Sequence, residues 1–383
     1  MPRTRAKTKQ PLSEADLANW KLLEVFQRRL QPLLEAAPTS ATEQDPRRKL
    51  FCSEYFSLLL FGMLNPVLKT TRALCAASAL PRMQREVCGD EVSLASFSDM
   101  QHVVDPELLA GLLRSLAAEA GPVIGEARVR EHVAELVAVD GTLLPALPRV
   151  AWALWQDSQH RAAKLHLEFS VWRDVPVEAT VTEGKRCERA VWRDKLRAGV
   201  CFVNDRHYSQ DYGLIKQVQA IGASHVLRLC HNAVCTPLEP ARELTKADHD
   251  QGVVADTVVR LGSGADGPKG RLVRIESDGH VFLLFTNLQD APAELIALIY
   301  RYRWRIELFF KWLKCILGCR HWLATSRAGV TSQIYCALIA AVLLVLWTGR
   351  KPTKRQWESL QMYWMGWSGP DDLERSFVTK KRQ

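Results

Sequence analysis

The 383-residue sequence is short of several things, and each shortage closes off a class of protein. No apolar run reaches the ~18–20 residues that span a bilayer. The longest, Ile334 to Trp347, has fourteen residues and reads as a buried core helix. No apolar stretch follows the basic N-terminus MPRTRAKTKQ, so it is not a secretory signal, and a soluble protein with no membrane partner is expected. The ten cysteines (52, 75, 88, 187, 201, 230, 235, 315, 319 and 336) lack paired ligand spacing. Cys230-His231 with Cys235, and Cys315 and Cys319 with His321, each fall short of four zinc ligands. Scattered through apolar segments, these residues read as reduced, buried thiols of a cytoplasmic protein rather than a disulfide framework. Internal repeats and extended low-complexity segments are also missing. Acids are in deficit: 42 Asp and Glu face 51 Lys and Arg, giving a charge of +9 and a pI near 9.1. That excess favours a polyanionic partner, because Lys and Arg displace counterions from phosphates.

What is present begins with helices. A hydrophobic content of 47% supports a sizeable core, in one large domain or two to three smaller ones. Residues 1–10 read as a basic arm. Leu17, Trp20, Leu23, Phe26 and Leu30 recur at helical spacing from Ser13 to about Leu34. Residues 36–46 read as a linker, and further helices are expected at about 48–64 and 68–79. Asp105-Pro106 opens another helix that Gly121-Pro122 closes. Residues 1–125 thus form a mostly helical N-terminal region, which either binds DNA through basic helices or serves only as packing.

The pattern then changes. Leu136 to Val139 is an apolar run ending in Asp140-Gly141-Thr142, which places Asp140 at a strand's end. Two alternating runs, 165–171 and 175–181, read as paired strands. A helix at about 186–197 leads to the apolar run Val200 to Val203, which ends in Asn204-Asp205. A helix at about 209–221 and a strand at 225–229 follow. The expected fold is α/β, a mixed sheet with flanking helices whose site lies at strand ends. Strand-like runs at 253–260, 271–275 and 280–285 read as a β-rich insertion, about 230–290, within a catalytic domain spanning 130–347. Residues 348–383 form a basic tail with Trp357, Trp364 and Trp367, a candidate dimer contact.

The stretch Ile299 to Trp322 reads as one helix. At 100° per residue, Tyr300, Arg303, Glu307, Lys311 and Lys314 fall within about 80° of arc. Beside them lies an apolar arc that includes Ile299, Ile306, Phe309, Phe310 and Leu313. Charges at this spacing most simply form a solvated face. Here, however, an aromatic and three cations surround a single acid. Asp140, Asp205 and Glu307, if gathered, would repel one another unless cations neutralise them, a task suited to magnesium or manganese. Two such ions ~3.5–4 Å apart activate water or a 3′-hydroxyl and stabilise the leaving oxygen of a phosphodiester. Taken singly, Asp140-Gly is as readily a turn and Asp205 a helix cap.

On these residues the sequence resembles a known family. Tyr300-x2-Arg303-x3-Glu307-x6-Lys314 is similar to the YREK signature of bacterial insertion-sequence transposases of the insertion sequence four type. Val139 to Thr142, KLHLEFSV (164–171), PVEATVTEGK (176–185), NDRHY (204–208) and FTNL (285–288) extend the resemblance over roughly residues 90–347. It implies a DDE enzyme with a ribonuclease-H-like core that performs cut-and-paste transposition in the bacterial cytoplasm, at the nucleoid. Asp140, Asp205 and Glu307 would then be catalytic and bind two Mg2+ ions, with Mn2+ as a substitute. Tyr300, Arg303, Lys314, Arg206 and Lys311 would contact DNA. The partners would be transposon-end duplex and target DNA, with a homodimer in the synaptic complex. The sequence departs from the family in two places. His207 stands where the family has glycine, which puts the turn beside the metals in doubt. Residues 206–290 also hold no tryptophan, on which hairpin-forming members stack a flipped base, so either another aromatic (Tyr208 or Phe282) takes that role or the hairpin route is altered. A non-catalytic DNA-binding relative, or a metal-dependent nuclease without strand transfer, are the alternatives.

Overall fold

The computed structural model describes residues 21–37, 48–123, 126–146, 150–157, 159–316 and 322–377. The expected basic arm and most of the expected linker lie outside them. The chain divides into two compact units, one of residues 1–112 with 315–383, the other of 113–314.

The first unit is helical. Its principal helices are α1 (Lys21–Ala36), α2 (Cys52–Leu64), α3 (Thr71–Ser78) and α4 (Leu94–Met100). Thr70 and Ser93 cap α3 and α4 by accepting from the amides of Ala73 and Ser96. The 22-residue helix Arg327–Thr348 returns to these from late in the chain. It is long and apolar enough to cross a bilayer by composition, yet every residue from Gly329 to Val345 is buried. Ser326 caps its start, and Gly349, at φ 76°, closes its end. The Gln101 side chain accepts from the amides of Thr325 (2.7 Å) and Ser326 (3.0 Å), tying that start to the end of α4. Trp357 packs edge-on against Trp364 in the helix Lys354–Trp364, so the tail is folded there.

The second unit is built on a nine-stranded mixed sheet. In chain order the strands are β1 (Leu136–Ala146), β2 (Arg161–Ser170), β3 (Val175–Glu183), β4 (Cys201–Asn204), β5 (Ser224–Arg228), β6 (Cys235–Pro237), β7 (Val253–Leu261), β8 (Lys269–Ser277) and β9 (His280–Thr286). Spatially they run 3-2-1-4-5-9-8-7-6. Strands β1, β4 and β5 are parallel to one another, and every other pairing is antiparallel. The β-rich segment is therefore a continuation of the main sheet, since β9 pairs directly with β5. Local alternation marks strands without saying which edge they join.

One face of the sheet is covered by the short helix Glu188–Arg193 and by the helix Tyr212–Ala220, whose Trp192, Leu214 and Val218 pack on Val137, Val139 and Phe202. The other face carries two helices, Ala293–Tyr302 and Trp304–Ile316. Phe309 meets Phe169 of β2 at 5.1 Å, and Arg305 donates to Asp174 in the β2–β3 turn at 3.1 Å. The first of these helices is anchored at its start by Asp248, which accepts from the Glu294 amide at 2.8 Å. The buried Arg271 fixes the approach, pairing with Asp256 and donating to the carbonyls of Leu288, Gln289 and Ala291.

Candidate active site

Asp140 lies within β1 rather than at its end, a correction to the reading of Asp140-Gly141 as a turn. β2 continues to pair with β1 as far as Ala146, so the strand runs on through Gly141. What ends near Asp140 is the parallel ladder to β4, whose last pair is Ala138↔Val203. Two residues further along each chain stand Asp140 and Asp205. Adjacent strands are ~4.8 Å apart, so this register sets the two acids side by side. Asp140 is pushed up to about 7, chiefly by burial, with the negative charges of Asp205 and Glu188 adding to it. The Gly141 amide, donating at 2.8 Å, and the Arg303 guanidinium oppose that rise.

The expected single helix from Ile299 to Trp322 is two helices, and residues 317–321 lie outside the described residues. The break falls at Arg303, where the backbone tightens: the Arg303 amide donates to Tyr300 and the Ile306 amide donates to Arg303, each three residues back. Tyr300 lies in the last turn of the first helix, while Glu307 and Lys314 belong to the second. Arg303 is largely buried and donates to Glu307 at 2.6 Å. Its charge also reaches Asp140. Tyr300 lies against Arg303 and Arg228, and burial raises its hydroxyl above the usual range. Lys314 donates to Thr142 of β1 at 2.6 Å, whereas Lys311 stands exposed.

The sequence reading missed Glu188. It sits behind β1, on the face shared by Val139 and Gly141 and opposite to that of Asp140. A Cβ on Gly141 would stand 2.6 Å from the Glu188 carboxylate. Tyr208 donates to Glu188 at 3.3 Å, and Lys164 pairs with it at 3.4 Å. The only sequence signal was a glycine inside a strand, which marks close approach as well as a turn.

Tyr208 is almost wholly buried and stands edge-on to Trp192 at 5.4 Å, so it is not a surface for stacking a flipped base. Phe282 is half-buried, with the Arg228 guanidinium 4.7 Å above its ring and Tyr300 at 6.4 Å. His207 has φ −64° and ψ −38°, ordinary right-handed backbone that needs no glycine. Arg206 is exposed and lines a cleft of about 290 Å³ with Arg228, His231 and Arg274.

Three carboxylates are hard oxygen donors, the right chemistry for a divalent cation. The raised Asp140 reports mainly a buried carboxyl, with the neighbouring charges of Asp205 and Glu188 adding to the cost of ionising it. As they stand, though, no three described His, Cys, Asp or Glu side chains converge on one cation position. Glu307 is held by Arg303 instead. Cys230, His231 and Cys235 form no such group either, and Cys319 and His321 lie outside the described residues. The eight cysteines with described side chains are free thiols.

The stretch that holds Asp140 on β1, Asp205 just past the end of β4 and the Arg303–Glu307 pair has known relatives. Residues 131–343 match the family described as "Transposase DDE domain". The chain belongs to that family. It is 29% identical over 220 residues to a putative transposase of Sinorhizobium fredii, covering 56% of this chain and 61% of the relative. It is 27% identical over 200 residues to a probable insertion-sequence transposase of Geobacillus stearothermophilus, covering 51% and 52%. A putative insertion-sequence transposase of Synechocystis is 24% identical over 266 residues, covering 67% and 72%. The chain thus spans between half and two thirds of the length of the first two relatives.

Proposed function

We propose that this chain is a transposase of the YREK, insertion-sequence-four type with a ribonuclease-H-like core. It cleaves phosphodiester bonds at transposon ends and joins the freed strand to target DNA. The observation that carries this reading is the placing of Asp140 beside Asp205, with the Arg303–Glu307 pair within reach of Asp140. Asp140, Asp205 and Glu307 are the donors that would hold divalent ions. Bound magnesium supplies Lewis-acid activation of water or a 3′-hydroxyl and stabilises the leaving oxygen.

The chain's own groups do the positioning. Arg303 exchanges its bond to Glu307 for a DNA phosphate, which frees the Glu307 carboxylate to join the aspartates. Tyr300 orients that guanidinium. Lys314, beside Thr142, neutralises phosphate charge at the end of the helix. The cleft of Arg206, Arg228, His231 and Arg274 takes the adjoining backbone of the end duplex. A homodimer would bring two ends together for strand transfer.

The test is cleavage of a labelled duplex carrying the element's terminal repeat, with magnesium, with calcium, and with Asp205→Ala. Magnesium-dependent release lost in the variant is expected. End binding with no cut under any metal would instead make this a non-catalytic relative. Cutting without joining of a pre-cut end would make it a nuclease.

A further inference from the structure

We propose that Glu188 is a positioning residue that sets the spacing of Asp140 and Asp205 from the far face of the sheet. This rests on the reading of those two aspartates as cation ligands. They stand on separate segments, and the ladder joining β1 to β4 ends at Ala138↔Val203, before either is reached. Glu188 spans that gap. Its carboxylate lies against the backbone of Gly141, next to Asp140. The same carboxylate accepts from Tyr208 at 3.3 Å. The Tyr208 amide in turn donates to the Asp205 carbonyl at 3.3 Å, inside the turn that carries the second acid.

The strut is itself braced. Lys164 of β2 pairs with Glu188 at 3.4 Å and also donates to the Arg186 carbonyl at 3.0 Å. Tyr208 is locked between Trp192 and His207, edge-on to both. Gly141 carries no positive φ, so what the position requires is the absence of a side chain rather than unusual backbone. Outer partners of this kind orient metal-ligating side chains, and losing one costs ~10-fold or more in metal affinity.

The experiment measures Mn2+ binding to the full chain by electron paramagnetic resonance of the free ion, with thermal unfolding recorded for each variant. Glu188→Ala and Tyr208→Phe are each expected to weaken Mn2+ binding ~10-fold. Their combination should be no weaker than the worse single variant, because both remove one contact. Glu188→Gln keeps the reach and the acceptor, and should restore binding to within about twofold. Unchanged Mn2+ affinity in Tyr208→Phe, additive losses, or a Glu188→Gln as weak as Glu188→Ala would each overturn the proposal. Should Glu188→Ala not fold, Tyr208→Phe and Glu188→Gln carry the test. Asp140→Ala is the separate control: Mn2+ binding that survives it sinks the cation-site reading rather than the strut.

Discussion

Arg303 holds Glu307 at 2.6 Å across the junction between two helices, and the same guanidinium reaches Asp140. One cation therefore serves two of the three acids. Glu307→Ala is expected to abolish end cleavage while preserving end binding. Arg303→Ala should weaken binding and lower the salt slope by about one phosphate contact. An unchanged slope would remove Arg303 from the DNA.

Lys314 is turned to β1 and Lys311 to solvent. Lys314→Ala should therefore cost more in cleavage than Lys311→Ala, by about tenfold if one charge-assisted contact is lost. Single-turnover cleavage by the two variants checks the order, and the reverse order would exclude this register.

Asp140 gives the metal-free protein a pH dependence of definite sign. Its folded pKa, about 7, lies above the ordinary 3.8. The folded state thus binds the proton more tightly, and stability falls as pH rises from about 4 to about 7. At ~1.36 kcal/mol for each pH unit the ceiling is about 4 kcal/mol, and partial exposure lowers the expected figure to about 2. Asp140→Asn should be more stable than the parent at pH 8 in chelator, with the gain gone near pH 4. Urea unfolding at both pH values decides it, and no gain at pH 8 would reject the assignment.

Gly141→Ala sets a methyl against the Glu188 carboxylate. A loss of about 1–3 kcal/mol is expected. Gly141→Ala with Glu188→Ala should recover much of it, which a double-mutant cycle by thermal unfolding measures. A loss that Glu188→Ala leaves untouched would place the strain elsewhere.

His207→Gly should leave cleavage unchanged and cost ~0.5–1 kcal/mol of stability, because the backbone there is right-handed and glycine adds only chain entropy. A marked gain in cleavage would show that His207 obstructs the site.

The sequence carried some of these relationships and hid others, for physical reasons. Helical periodicity aligned Tyr300, Arg303, Glu307 and Lys314, because a face repeats locally. The break at Arg303 left no trace, since neither proline nor glycine marks it and only a change of hydrogen-bond register makes it. Gly141 read as a turn because glycine permits one, while the partner strand that keeps β1 extended begins at Arg161. Glu188 was invisible because its role depends on Tyr208 and Gly141, which meet it only after the sheet has formed. The strands 253–286 were legible singly, but not their continuation of the main sheet through β9 and β5.

The helical unit is discontinuous in sequence, and that has a consequence for synthesis. Residues 21–100 supply helices whose apolar faces wait for Arg327–Thr348, a helix buried from Gly329 to Val345. On the ribosome these early helices stay exposed until residues 327–348 have emerged, whereas residues 113–314 are contiguous and complete their sheet before that. A nascent chain that has not yet added residues 327–348 therefore carries a contiguous sheet unit with all its strands, while its helical unit still lacks a buried helix.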